Sequence, residues 1–369
     1  MSDPSFWRAG DEPGRRQFVT LDREVRLEGG GSLASVTIAY ETWGELDARA
    51  SNAVLVLHAL TGDSHVAGPV EAGHPSPGWW DGLVGPGRAL DTDRYFIVCP
   101  NVLGGCQGST GPSSLAPDGR PYGSRFPVVT IRDQVAVETA LADHLGVARF
   151  AAVVGGSMGG MRALEWVLGY PERVARAVVV AAGAAGTADQ IALCSLQVRA
   201  IQADPHYANG DYYGGTPPRA GLAIARGIGQ FSYRTWTEFE ERFGREPQDD
   251  RAVLDGGRYA IESYLRYQGE KLAARFDANS YVVLSEAMNH HDVGRGRGGV
   301  VAALKGVRVP LTIGSVSSDR LYPRELQEEL ARLAARAAPV RVITSPAGHD
   351  GFLLELDQVG TLITDALND

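Results

Sequence analysis

The run Phe150-Ala151-Ala152-Val153-Val154-Gly155-Gly156-Ser157-Met158-Gly159-Gly160-Met161 constrains the fold of this chain more than any other segment. Its first half is an apolar strand, and Arg162–Leu168 continues as a helix. A Gly-x-Ser-x-Gly pentapeptide therefore sits at a strand-to-helix corner. A serine at such a corner occupies a strained turn that lifts its hydroxyl above the sheet. Gly155 and Gly159 must be small, because a side chain there would strike the neighbouring strand or helix. The hydroxyl also lies near the positive end of the helix. Ser157 is thus the candidate nucleophile, and acyl transfer is the chemistry the other residues must support.

The pattern around this corner fixes the class of fold. Ala53–His58 and Tyr95–Pro100 are short continuous apolar runs, as expected of strands buried on both faces. Val128–Asp133 leads into a helical period over Gln134–Leu145, and Val174–Ala182 is a further strand. Before them, residues 16–45 read as two or three antiparallel edge strands joined by a glycine turn. The alternation of buried strand and amphipathic helix implies an α/β fold with a doubly wound, mostly parallel sheet. It pauses after about residue 186. Helical stretches are expected at Ala188–Ala203, Gly221–Ser232, Thr235–Phe243, Tyr259–Phe276 and Ser280–Met288. The sheet resumes at Val309–Gly314 and Val340–Thr344, with helices over Arg324–Ala337 and Phe352–Leu367. One core, 1–186 and 298–369, is therefore expected to carry a helical lid, 187–297, over the strand ends.

Bulk composition excludes several classes. At 369 residues, with 44% hydrophobic and 21% charged residues, the chain can bury a large core. A net charge of −9 without a concentrated basic block argues against nucleic acid as a partner. Cys99, Cys106 and Cys194 match neither a zinc pattern nor a disulfide scaffold. Met1–Ser5 has no basic start and apolar run. The longest apolar stretch, Ala177–Ala185, is about half a bilayer span. A cytoplasmic protein without membrane partners is expected.

A serine needs a base, and the base needs an orienting acid. In this architecture the order is Ser, acid, His, each on a loop past a late strand. His349 alone among the eight histidines follows the resumed sheet, in Ser345-Pro346-Ala347-Gly348-His349-Asp350-Gly351. Asp319 follows the strand over Leu311–Ile313. The oxyanion donors are expected at the backbone N–H of Met158 and of Leu60, in His58-Ala59-Leu60-Thr61-Gly62. Plainer readings stand beside these: Asp319 as a helix cap near Tyr322, and His349 as a structural loop residue. His58, His65 and His74 are scattered over a Gly/Pro-rich loop without compact ligand spacing, so no metal is expected. His290-His291 reads as hydrogen-bonded lid structure, and Cys106 as a structural thiol with nothing nearby to lower its pKa.

These motifs resemble the homoserine O-acetyltransferases of methionine biosynthesis, of the α/β-hydrolase-fold type. The matching segments are Thr37–Gly44, His58–Gly62, Gly155–Met161, Asn289–Gly296 and Ser318–Pro323. The serine pentapeptide is shared by many hydrolases; the His-Asp-Val-Gly-Arg-Gly segment discriminates far better. The resemblance implies a ping-pong reaction in which Ser157 takes acetyl from acetyl-CoA and passes it to the side-chain hydroxyl of L-homoserine, with no permanently bound cofactor. It implies Ser157, Asp319 and His349 as the triad and Leu60 and Met158 as oxyanion donors. It also implies Arg226 and Tyr233 at the substrate carboxylate and Asp350 at the ammonium. A homodimer is implied through lid helices, with Phe231–Trp236 a candidate contact. Alternatives of the same fold change the donor to succinyl-CoA or the acceptor to serine. An esterase, or a binding protein on a hydrolase scaffold, would differ more deeply.

Overall fold

Apolar runs without polar alternation need cover on both sides, and two layers of helix supply it. The computed structural model describes residues 6–368; Met1–Ser5, read above, lie outside them. Its eight-stranded sheet consists of β1 (Gln17–Leu21), β2 (Val36–Trp43), β3 (Ala53–Leu57), β4 (Phe96–Pro100), β5 (Ala152–Gly156), β6 (Ala177–Val180), β7 (Leu311–Val316) and β8 (Arg341–Ile343). Their spatial order is β1-β2-β4-β3-β5-β6-β7-β8. β2 pairs antiparallel with β1 and with β4, and every other pairing is parallel. The glycine turn at Gly29–Gly31 belongs to a small hairpin, Val25–Arg26 with Ser32–Leu33, outside this sheet.

Strand alternation divides the core. Leu55, Leu57, Val153, Val179 and Ile313 point to one face, where they meet Val135 and Leu141 of α1 (Ile131–His144) and Ala163 and Trp166 of α2 (Met158–Gly169). Val54, Val56, Val154, Val178 and Val180 point to the other, against the C-terminal helices. Between β6 and β7 lie α3 (Ala188–Gln202), α4 (Arg219–Tyr233), α5 (Trp236–Arg242), α6 (Ala260–Ala273) and α7 (Ala278–Asn289), without a strand. No helix among the described residues is long and apolar enough to cross a membrane.

Several boundaries depart from the sequence expectation for visible reasons. Helix α1 begins three residues earlier than expected, because the Thr130 hydroxyl and the Asp133 carboxylate form a reciprocal capping box. The helix expected to reach Ala337 is α9 (Arg324–Leu333), following the short α8 (Val300–Lys305). Residues 336–338 leave the helical path to bridge Leu311 at the start of β7. The expected final helix is broken at Glu355 into α10 (Gly351–Leu354) and α11 (Leu356–Asn368).

Two buried polar groups lock the layers. Arg162, fully buried on α2, donates to Glu138 Oε1 of α1 at 2.7 Å and to the carbonyl of His58 at 2.6 Å. Trp166 Nε1 donates to the other Glu138 oxygen at 2.8 Å. Burial pushes the Glu138 carboxyl up, against the pull of Arg162 and Trp166. His291 donates from Nε2 to the Gly183 carbonyl at 3.1 Å, and burial holds its pKa down at about 4.

Replacing Arg162 alone with Met strands the Glu138 charge and should cost about 3–5 kcal/mol in urea unfolding. The pair Glu138→Leu with Arg162→Met should cost clearly less than the sum of the single changes; additivity would contradict this coupling. The second prediction concerns pH. A histidine held below its unfolded value stabilises the fold above pH 6.5, and that contribution is lost as pH falls toward about 4. His291→Gln keeps an N–H for Gly183 but takes no proton. Its stability should therefore fall less steeply between these pH values, by about 1.4 kcal/mol per pH unit. Parallel slopes would contradict the assignment.

Candidate active site

The strand order reverses about β3: the chain passes from β3 to β4 on one side, then returns to β5 on the other. Crevices outside the carboxyl ends of strands form at such reversals. Leu57 of β3 pairs with Gly155 of β5, so both strands release their loops at the same height. Ser157 follows β5 with φ 56° and ψ −125°, a left-sided backbone that costs about 1–3 kcal/mol for a residue with a side chain. Close packing holds it there. A Cβ on Gly155 would lie 2.2 Å from the Gly159 carbonyl oxygen, and one on Gly159 would lie 2.0 Å from that of Leu57.

Three side chains from separate loops meet at this corner. His349 Nε2 lies 2.9 Å from Ser157 Oγ, and its Nδ1 lies 2.7 Å from Asp319 Oδ2. All three are buried. Asp319 does not cap the next helix, which starts at Arg324 with Pro323 at its N-cap, but it organises the turn before it. Oδ2 faces the imidazole, while Oδ1 accepts the backbone N–H groups of Leu321 and Tyr322 at 2.8 and 2.9 Å. The base loop is stitched to the acid loop by serines. Ser318 Oγ donates to the Ser345 carbonyl at 2.6 Å and accepts the N–H of Gly348 at 3.0 Å. Tyr322 stacks on the imidazole at 5.1 Å, and Phe352 meets it edge-on at 5.4 Å. Burial opposes a proton on His349, but the charge and hydrogen bond of Asp319, helped by Asp350, outweigh it and raise the pKa above 6.5.

Met158 and Leu60, expected as oxyanion donors, lie on the two elements that meet at this corner. Met158 is the first residue of α2, where a backbone N–H has no partner one turn back. Leu60 stands in the turn after β3 and lines a cavity of about 120 Å³ that opens on Ser157. Arg162, through the His58 carbonyl, ties the helix carrying Met158 to the loop carrying Leu60.

Arg226, Tyr233 and Asp350 line the same cavity. The Arg226 guanidinium lies over the Tyr233 ring at 5.3 Å and reaches Thr61 Oγ1 at 3.5 Å. Among the described residues it has no carboxylate within ion-pair distance. Asp350 already has a cationic neighbour, Arg234 Nε at 3.0 Å, although that N–H is not aimed at the oxygen. Arg234 also donates to Glu238 at 3.0 Å. Sequence reasoning missed Arg234, Tyr322 and Thr61. Arg162 left a signal, as one of two charges, with Glu165, in a mostly apolar helical run.

Other singled-out residues do different work. Asn289–Gly296 contributes nothing to the cavity wall. Arg132 of α1 donates to the carbonyls of Asp292 and Arg295 at 3.0 and 2.8 Å, and Arg297 pairs with Glu165 of α2 at 2.7 Å. This segment clamps the returning chain to the core. Cys106 is buried and its thiol is pushed up by that burial, as expected of a structural thiol. His58 is held neutral at about 3 by burial and Arg162.

The expected scatter of histidines needs correction at two positions. His65 and His74 fold back beside Glu41 of β2, with ligand-type atoms within 4.8 Å of one another, all buried. His65 Nδ1 is 3.0 Å from Glu41 Oε2, and the two imidazoles stack at 3.9 Å and 13°. Lone pairs of parallel rings run side by side and do not converge on one ion. The Arg15 N–H already donates to His74 Nε2 at 3.1 Å, and Ser64 Oγ to Glu41 Oε1 at 2.7 Å. Burial holds His74 at about 3, whereas Glu41 overcomes burial and raises His65. The donor set suits a buried ion pair stacked on a neutral ring.

The α/β hydrolase fold profile matches residues 52–356. A homoserine O-acetyltransferase of Thermobifida fusca (strain YX) is 60% identical over 363 residues, which cover 98% of this chain and 96% of that protein. The solved homoserine O-acetyltransferase from Bacillus anthracis superposes with a TM-score of 0.88 at 28% identity, covering 96% of this chain and 97% of that one. Esterase E22 superposes with a TM-score of 0.87, also at 28% identity, over 95% of this chain and 99% of its own. With a relative of 60% identity along nearly its whole length, this chain belongs to the homoserine O-acetyltransferase family of the α/β hydrolase fold.

Proposed function

We propose that the chain transfers acetyl from acetyl-CoA to the hydroxyl of L-homoserine through an acetyl ester on Ser157. The observation that carries this reading is the Ser157–His349–Asp319 relay opening onto a cavity with an unmatched arginine. In the first half, Ser157 Oγ attacks the thioester carbon as its proton passes to His349 Nε2. The N–H groups of Met158 and Leu60 stabilise the oxyanion, and the CoA sulfur leaves with the proton from His349. In the second half His349 takes the proton of the homoserine hydroxyl as its oxygen attacks the ester carbon, then returns that proton to Ser157 Oγ as the ester bond to serine breaks.

Arg226 supplies a cation for the acceptor carboxylate, with Tyr233 beside it. Asp350 faces the ammonium, held by Arg234. Arg226 is the sole Lys or Arg among the described residues lining the cavity. A succinyl donor would bring a second carboxylate without a second cation, which favours acetyl. Helices α3–α7 act as a lid that limits water and holds the acceptor hydroxyl near His349, a preference worth several kcal/mol. Phe231 and Trp236 are 53% and 73% exposed, which supports a homodimer through these helices.

The likeness to esterase E22 makes hydrolysis the second reading. Incubation with acetyl-CoA and homoserine, then product weighing, should give O-acetylhomoserine far in excess of acetate. Equal acetate release with and without homoserine would establish a hydrolase. The base must be unprotonated, so kcat/KM should rise with pH through a midpoint above 6.5. Asp319→Asn removes the charge that supports the imidazolium and should lower kcat by roughly 10³- to 10⁴-fold. A loss under tenfold would contradict the relay.

A further inference from the structure

Helix α3 presents Gln190, Leu193, Cys194 and Gln197 to the cavity, a spacing that places all four on one helical face. The two glutamines differ in how their amides are used. Gln190 is consumed by the fold: Oε1 accepts the Thr187 N–H at 3.0 Å, and Nε2 donates to the Leu321 carbonyl at 2.7 Å. Gln197, 2% exposed, has one end engaged. The Tyr281 hydroxyl, from α7 and also buried, donates to Gln197 Oε1 at 2.8 Å. That contact occupies Oε1, and the amide nitrogen is the other end of a side chain that lines the cavity. Among the described residues no acceptor meets that nitrogen.

An amide donor with no protein acceptor at a cavity wall can donate to an acceptor on a bound ligand, most strongly to a charged one. The location identifies the acceptor. Helices α3 and α4 pack directly on one another, and α4 carries Arg226. The Arg226 guanidinium, over the Tyr233 ring at 5.3 Å, lines the same cavity as Gln197. Two residues with donor groups, one charged and one neutral, therefore line one cavity from adjacent helices.

We propose that Gln197 Nε2 donates a hydrogen bond to the α-carboxylate of the amino-acid acceptor, beside Arg226, and that Tyr281 is the positioning residue that aims it. The inference rests on the acetyl-transfer reading above and adds a determinant of acceptor choice. A neutral donor beside Arg226 favours a carboxylate over its amide, whose N–H₂ would oppose the Gln197 N–H₂.

Steady-state kinetics of Gln197→Met and Gln197→Glu, with acetyl-CoA and homoserine varied in turn, test the proposal. Gln197→Met should raise KM for homoserine roughly 10- to 100-fold. Gln197→Glu, which sets a carboxylate against a carboxylate, should raise it further. KM for acetyl-CoA should move by less than about twofold in either variant. Tyr281→Phe keeps the amide but frees its rotamer, and should raise KM for homoserine by a smaller factor. Homoserinamide, already a poor acceptor, should lose much less than homoserine in Gln197→Met. A KM for homoserine within twofold of the parent in both Gln197 variants would overturn the proposal. So would a change confined to acetyl-CoA. If Gln197→Glu is too unstable to assay, Gln197→Met and Tyr281→Phe decide between these outcomes. A parent enzyme that acetylates no homoserine would remove the acetyl-transfer reading and this inference with it, and is distinguishable from failure of the variants alone.

Discussion

At Gly159 a single added carbon would lie 2.0 Å from the carbonyl oxygen of Leu57. That approach presses the start of α2 against the end of β3, and it fixes how Ser157 can stand. The serine backbone takes a left-sided φ because both neighbours are clamped: β5 by its register with β3 and β6, α2 by its contact with the Leu57–His58 turn. Arg162 adds a polar tie between the same two elements one helical turn further on. Ser157, the N-terminus of α2 and the loop carrying Leu60 are therefore set relative to one another by packing.

Asp319 and His349 arrive differently. Their loops leave β7 and β8, whose last residues Val316 and Ile343 are register partners, and serine side chains hold the loops together. Asp319 serves both demands at once, since one oxygen organises its own turn and the other meets the imidazole. The same burial that would discharge His349 is offset by Asp319, which leaves a base whose pKa lies on the upper side of the ordinary histidine range. Stability and chemistry use the same contacts here.

Much of this was legible in the chain itself. The Gly-x-Ser-x-Gly corner, the succession of strands and helices along the chain and the two loops after the resumed sheet are local patterns, and local patterns survive without coordinates. What was hidden depends on distant segments meeting. Glu41, His65 and His74 lie on separate stretches, and only the fold-back of residues 63–78 makes them one cluster. Asp350 could be picked out by its place next to His349, but its partner Arg234 comes from the end of α4. The His-Asp-Val-Gly-Arg-Gly segment marked the family while serving as a clamp, so a discriminating motif need not lie in the site. Helix ends failed where side chains or sheet edges competed, as at Thr130 and at residues 336–338.

The proposed transfer requires an acyl-enzyme that outlives its encounter with water, a demand the proposal puts on Ser157. The most direct measurement is the intact mass of the protein after brief exposure to acetyl-CoA alone, followed by peptide mapping. The account predicts one added acetyl group on the peptide containing Ser157, discharged rapidly by homoserine, slowly in buffer, and absent from Ser157→Ala. An acetyl group carried productively on another residue, or none trapped while product still forms, would contradict it.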